Sequence, residues 1–166
     1  LIFLNKLDHM KKVFLIVFIC ALGLSTVNSQ EIISIEEDVV ALNWEDSYKA
    51  ALKKSKKEKK PVLIYFTSSD WCGPCKVLDK KLFHTEKFKE LADNDLILYE
   101  ADDPRNKDII SKEKLEVNYK LKRKYKIRSF PTLVFVNHKG KMIGYKKGLI
   151  LTEYYYPFFQ SVIENY

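Results

Sequence analysis

Cysteine is scarce in this chain, with three in 166 residues. Cys20 lies in an apolar stretch near the start, so only Cys72 and Cys75 remain further on. A disulfide-stapled scaffold needs more cysteines than that, and a closed zinc site needs four ligands. Histidine is equally rare, and His84 and His138 sit on segments apart from the cysteines, so no metal is expected. Glycine and proline number 5 each, too few for a low-complexity linker, and no internal repeat or second domain is visible. The longest apolar run, Val13 to Leu24, falls short of the roughly 20 residues a spanning helix needs.

That run has a different use. Met10-Lys11-Lys12, the apolar segment and Ser25-Thr26-Val27-Asn28-Ser29 follow the order of a secretory signal peptide. Val27 and Ser29 are small enough for the recognition positions, which predicts cleavage between Ser29 and Gln30. Residues 1–9 then read as an extension upstream of a start at Met10. An uncleaved anchor is the alternative. A lipoprotein reading would want a small residue before Cys20, and Ile19 is not small, so Cys20 leaves with the signal. The expected organisation is a signal over 1–29 and a single domain over 30–166.

The formal charge is +7, and residues 1–29 hold Lys6, Lys11 and Lys12 against Asp8, leaving about +5 on the rest. Such an excess can mark nucleic-acid or anionic-membrane binding. Here the lysines interleave with acids, as in Lys53-Lys54-Ser55-Lys56-Lys57-Glu58, which reads as a solvated helix face. No nucleic-acid partner is expected.

Hydrophobic spacing orders the domain. Gln30 to Ala41 is a lead-in or edge strand. Asn43 caps a helix in which Trp44, Tyr48, Ala51 and Leu52 recur at helical spacing, with Trp44 as its core anchor. Pro61 to Thr67 is apolar on both faces, as a central parallel strand covered by helices would be. A helix with the stripe Val77, Leu78, Leu82 and Phe83 follows, then a turn capped by Thr85 with Phe88 and Leu91. Leu96 to Tyr99 is the next strand. Residues 106–126 read as one charged helix with Leu115, Tyr119, Leu121 and Tyr125 inward. Thr132–Val136 and Lys141–Tyr145 pair as a hairpin around Asn137-His138-Lys139-Gly140. Thr152 to Tyr166 closes as a helix whose start Pro157 shifts or kinks. This order predicts an α/β domain, a central mixed sheet with a parallel core and a C-terminal antiparallel hairpin, flanked by helices on both faces.

The chemistry concentrates in Trp71-Cys72-Gly73-Pro74-Cys75-Lys76, directly after the central strand. A strand that delivers Cys-x-x-Cys to the first turn of a helix is a redox arrangement. The helix end carries partial positive charge and unpaired N–H groups that stabilise a thiolate at Cys72. Pro74 suits an early helical position, where its missing N–H costs nothing. Both sulfurs lie within one turn, close enough to bridge. Cys72 is the expected nucleophile and Cys75 the resolving thiol; a structural pair or half a metal site is the alternative. Lys76 adds positive charge nearby or is simply solvated.

Trp-Cys-Gly-Pro-Cys-Lys is identical to the active-site motif of thioredoxins, and Phe66-Thr67-Ser68-Ser69-Asp70-Trp71-Cys72 resembles exported bacterial thioredoxin-like proteins. The similarity runs from about Asn43 to the C-terminus. It implies a thioredoxin fold, with Gly73 and Pro74 tuning the couple towards reduction. It also implies that Phe130-Pro131-Thr132 is the family's cis-proline loop beside the cysteines, and that Trp71, Phe130, Pro131 and Thr132 contact substrate. Thioredoxins bury an aspartate in the strand before the motif, where it helps move the proton of the second cysteine. Tyr65 stands there in this chain, with an extra residue before Trp71. Either a water or another group serves instead, with Glu100, Asp102 and Asp103 as candidate carboxylates, or exchange is slower.

The reading that follows is an exported thiol–disulfide oxidoreductase, reducing protein disulfides through Cys72 and Cys75 with no cofactor beyond its own redox-active pair. An oxidase or isomerase of exported proteins, and a non-catalytic binding module, are the alternatives. Expected partners are disulfide-containing exported proteins and, by resemblance, a membrane electron donor. The chain is expected to be a monomer in the periplasm of a Gram-negative source, or otherwise secreted or at the cell surface.

Overall fold

A computed structural model of the chain describes residues 40–166. The signal peptide, Cys20 and nearly all of the lead-in expected before Ala41 lie outside the described residues. Strand β1, Val62–Thr67, is apolar at nearly every position and buried at all of them. A strand covered on both faces belongs in the middle of a sheet. It pairs in parallel with β2, Ile97–Asp102, and antiparallel with β3, Thr132–Val136. β4, Met142–Lys147, adds antiparallel to β3, giving the order β2-β1-β3-β4. This is the mixed sheet with an antiparallel hairpin that the sequence predicts.

Side chains alternate across the sheet, and the two faces carry separate cores. Leu63, Tyr65, Leu98, Leu133 and Phe135 face α2 (Gly73–Leu78), α3 (Glu86–Asp95) and α5 (Tyr155–Glu164), which contribute Cys75, Phe88 and Phe159. Val62, Ile64, Phe66, Tyr99 and Val134 face α1 (Tyr48–Glu58) and α4 (Lys112–Lys124), which contribute Ala51 and Leu121. Helices therefore cover both faces.

Several local expectations are corrected. Helix α1 begins at Tyr48 and is capped by Ser47, whose side chain accepts from the Ala50 N–H. Asn43 is not the cap; its amide donates to Asp93 at 3.0 Å. Trp44 precedes the helix in an isolated parallel bridge with Leu98, and its ring packs against Tyr65 and Phe83. It anchors the core from the sheet edge. In α2 the buried stripe is Cys75 and Leu78, continued by Leu82 and Phe83 in a π-helical turn over Asp79–Phe83. Val77 is 38% exposed, because it lies more than half a turn round the helix from Cys75.

The expected helix over 106–126 is broken. A short 3-10 turn, Lys107–Ile109, is separated from α4 by Ser111, which caps it through the Lys114 N–H. Leu121 is buried and Leu115, Tyr119 and Tyr125 are half-buried, but the second buried residue of α4 is Asn118. Pro157 occupies the third position of α5, inside the first turn, where an N–H has no intrahelical partner anyway.

Candidate active site

Cys72 is the N-cap of α2, and the Cys75 N–H donates to its sulfur at 3.2 Å. The first turn closes with Cys75 and Lys76 N–H groups on the Cys72 carbonyl at 3.1 and 3.2 Å. Such a donor, at the positive end of a helix, stabilises negative charge on Cys72 Sγ. The two cysteines form a disulfide with their Cα atoms 5.2 Å apart. Cys72 is 3% exposed and Cys75 fully buried. Gly73 and Pro74 are exposed between them, and a Cβ built on Gly73 would meet nothing within 4 Å. The approach to the pair is open on that side.

The loop before β3 lies alongside. The Phe130–Pro131 bond is cis, the Phe130 ring meets Trp71 edge-on at 6.1 Å, and Thr132 is buried with its hydroxyl on the Ser129 carbonyl at 2.8 Å. Trp71 is 44% exposed. Trp71, Cys72, Cys75, Phe130, Pro131 and Thr132 are thus gathered at one end of the sheet. Lys76 reaches the Asp70 backbone carbonyl at 3.4 Å.

Beneath the cysteines, on the β1 face that α2 covers, stands Tyr65. Its hydroxyl donates to the Cys75 carbonyl at 3.4 Å, and its ring packs on Phe83 with centroids 4.6 Å apart. Burial pushes the Tyr65 hydroxyl far above the usual phenol range. Asp79 lies one turn beyond Cys75; burial raises its carboxyl, with Tyr65 and His84 opposing and Asp102 adding to the rise. Glu100 is the register partner of Tyr65 on β2. Burial, then repulsion from Asp102, pushes the Glu100 carboxyl up to about 7, with Lys114 pulling the other way.

The other two carboxylates considered in the sequence are committed elsewhere. Asp102 accepts from the Ser69 N–H and hydroxyl at 2.9 and 2.6 Å. Asp103 is held by Lys107 at 3.0 Å and Lys122 at 2.5 Å; burial alone would raise it, but the two lysines bring it below the usual carboxylate range. Asp79 was not legible as part of this group, because only the helix turn after Cys75 turns it towards Tyr65. Arg105 was also missed. Its guanidinium lies 4.7 Å from the Trp71 ring centroid, in a position set by loop contacts and not by spacing. Among the described residues no group of three or more His, Cys, Asp or Glu could hold a metal ion.

Comparison with known proteins bears on this geometry. A family model for a thioredoxin-like domain matches residues 48–162. The disulfide bond reductase DsbH of Chlamydia pneumoniae is 38% identical over 103 residues, covering 62% of this chain and 61% of that protein. The thioredoxin-related protein DsbJ of Chlamydia pneumoniae is 27% identical over 123 residues, covering 74% of this chain and 34% of that protein. The chain thus spans less than two thirds of either curated relative. A solved DsbH oxidoreductase superposes with a TM-score of 0.69 at 32% identity, over 76% of this chain and 87% of that one. A Thermus thermophilus thioredoxin gives 0.58 at 20% identity, over 74% and 88%, a likeness of fold alone.

Proposed function

The chain belongs to the thioredoxin-like family, and from that premise we propose that it is an exported thiol–disulfide oxidoreductase that reduces protein disulfides. The observation that carries the reading is the Cys72–Cys75 pair at a helix N-terminus, with the Cys75 N–H on Cys72 Sγ and Cys75 buried behind it. Similarity to a protein named a disulfide bond reductase supports the direction, as does the resemblance of Gly73-Pro74 to the reducing members. The order of charge, apolar run and small residues over 10–29 supports export.

In the reduced protein, the Cys72 thiolate attacks one sulfur of a substrate disulfide, forming a mixed disulfide and expelling the other sulfur as thiolate. Cys75 then gives up its proton and attacks Cys72 Sγ. That step releases the second substrate thiolate and closes the Cys72–Cys75 bond. Two electrons pass from the protein to the substrate, and an external dithiol must return them; the membrane electron donor implied by the resemblance would do so. Exposed Gly73 and Pro74, with Trp71 and the half-buried Phe130, form the surface on which an extended substrate would lie, while the Pro131 and Thr132 side chains are buried behind it. The proton of Cys75 is assigned to the group around Tyr65. Asp79 and Glu100 are half-buried there, and an acid near pKa 7 suits proton transfer at neutral pH.

The test is the reduction potential of the pair, equilibrated against glutathione. A value near thioredoxin's roughly −270 mV supports a reductase, and one near roughly −120 mV makes the protein a dithiol oxidant instead. Absence of a reversible couple would leave only a binding module on the same fold.

A further inference from the structure

We propose that Arg105, stacked on Trp71 and braced by Asp70, selects polypeptide disulfides whose cysteines are flanked by acidic side chains. The proposal rests on the exchange reaction above and adds the class of substrate it takes.

The brace begins with the residue just before Trp71. The Asp70 carboxylate accepts the backbone N–H of Arg105 at 3.1 Å and of Asn106 at 2.9 Å. These donors, Asn106 first, hold the Asp70 carboxyl below its usual range. The two residues before it tie the same loops together: Ser68 Oγ donates to the Asp103 carbonyl at 2.8 Å, and Ser69 donates twice to the Asp102 carboxylate. The loop after β2 is thereby fixed to the loop that delivers Cys72. The guanidinium of Arg105 comes to rest 4.7 Å from the Trp71 ring centroid, although Arg105 itself is exposed.

What surrounds that guanidinium is informative. No carboxylate among the described residues pairs with it. Three acids of the two loops are spent, Asp70 on backbone N–H groups, Asp102 on Ser69, and Asp103 on Lys107 and Lys122, and Asp108 makes no ion pair with Arg105 among the described residues. Across the Trp71–Phe130 pair the charge is again positive. Lys122 lies 5.2 Å from the Phe130 ring centroid, and beyond it opens a cavity of about 420 Å³ lined by Tyr119, Lys122, Arg123, Lys126, Ile127 and Arg128. The aromatic platform beside Cys72 therefore has Arg105 on one side and, beyond the Asp103-paired Lys122, the basic side chains Arg123, Lys126 and Arg128 on the other.

The chemistry that fits is a carboxylate close in sequence to the substrate cysteine. A guanidinium offers a planar fork of donors that matches a carboxylate, and one already stacked on an indole loses less freedom on binding than a free lysine would. The same charge steers the encounter, so the effect should fall with ionic strength. A lysine in that place on the substrate would meet like charge.

The experiment uses the full chain, reduced, and two peptides with one disulfide each that differ only in aspartate or lysine beside the cysteines. Neutral hydroxyethyl disulfide serves as a third substrate. The second-order rate constant for the aspartate peptide should exceed that for the lysine peptide by about fivefold at low salt, and the ratio should collapse towards one at high salt. Arg105→Gln should bring the ratio near one, and Arg105→Lys should keep part of it. Equal rates for the two peptides, with hydroxyethyl disulfide still reduced, overturn this inference alone. A ratio that survives intact in Arg105→Gln also overturns it. Failure to reduce any disulfide overturns the exchange reaction and the selection with it.

Discussion

The two faces of the sheet are built from the same strands but treat polar groups differently. On the face covered by α1 and α4, the buried side chains of Tyr99, Asn118, Ser55 and Thr132 each have a partner. The Tyr99 hydroxyl donates to Asn118 Oδ1 at 2.7 Å, and Asn118 Nδ2 donates to the Asp102 carbonyl at 2.8 Å. The Tyr48 and Tyr125 hydroxyls meet at 2.8 Å, and Tyr125 reaches the Gly140 carbonyl at 3.0 Å. On the face covered by α2, Tyr65, Asp79 and Glu100 lie under the cysteines with two carboxyls raised by burial and, among the described residues, no lysine or arginine bonded to either. A buried acid without a settled charge lowers stability. One face is arranged for stability, the other for chemistry, and substitutions should separate the two.

The widest separation comes from the cysteines. Cys72→Ser should abolish disulfide reduction while leaving the melting transition of the reduced protein close to that of the parent, since serine is close in size and its hydroxyl can take the Cys75 N–H at the same N-cap. Cys75→Ser should instead accumulate mixed disulfides with substrate, visible by mass spectrometry. Steady turnover by the Cys72 variant would end the assignment of the nucleophile.

On the opposite face the expected pattern reverses. Asn118→Ala strands the Tyr99 hydroxyl and the Asp102 carbonyl, both buried. An unpaired buried group costs about 1–3 kcal/mol, so urea melts should show a loss on the order of 2 kcal/mol. The rate of exchange per folded molecule should not change. A large fall in that rate would show that the two faces are coupled.

These residues also show what the sequence could tell. Strand order, the helical cover and the Trp71–Cys75 motif follow from local periodicity and punctuation, which a reader of the chain can see. Trp44 misled because its spacing to Tyr48, Ala51 and Leu52 is helical, yet a tertiary bridge to Leu98 took it out of the helix. Asn43 and Ser47 are both good caps, and nothing local chooses between them. Val77 looked buried because it is apolar and adjoins Leu78, but burial of Cys75 fixed the face of α2. Asn118 reads as a surface residue until Tyr99 is placed against it. At the site, Tyr65 and Glu100 could be named, but only the strand register places Glu100 beside Tyr65, and Asp79 comes from a later helix turn. The perch of Arg105 depends on hydrogen bonds that Asp70 makes 35 and 36 positions away.

Glu100→Gln should sharpen the comparison through pH. The native carboxyl is pushed up to about 7 from an ordinary 4.5, so the folded chain holds this proton more tightly than the unfolded chain does. Below about pH 4.5 both states are protonated and the group is neutral in its effect. Stability is then lost progressively as pH rises from about 4.5 to about 7, and the loss is complete once the native carboxyl has ionised beside Asp102 and Asp79, with Lys114 as the opposing cation. Glutamine removes that penalty. The variant should match the parent at pH 4 and exceed it at pH 8 by on the order of 1–2 kcal/mol, less than a fully buried acid would give because Glu100 is half-buried. The resolving step should slow in the same variant, raising the mixed-disulfide population. Equal differences in stability at both pH values would remove Glu100 from the chemical face.

The smallest effect belongs to the edge of the stable face. Ser47 caps α1 by accepting the Ala50 N–H at 3.2 Å, and α1 has no acidic residue in its first turn to hold that end otherwise. Its replacement by alanine leaves an orphan donor, which water partly satisfies because the cap is exposed. Ser47→Ala should therefore cost about 1 kcal/mol, read as a shifted urea midpoint with an unchanged slope. The reduction potential should not move, because α1 packs on the side of the sheet away from Cys72 and Cys75. The control within the comparison is Asn43→Ala, which removes an exposed bond to Asp93 and should cost less than Ser47→Ala. The reverse order would return the helix cap to Asn43.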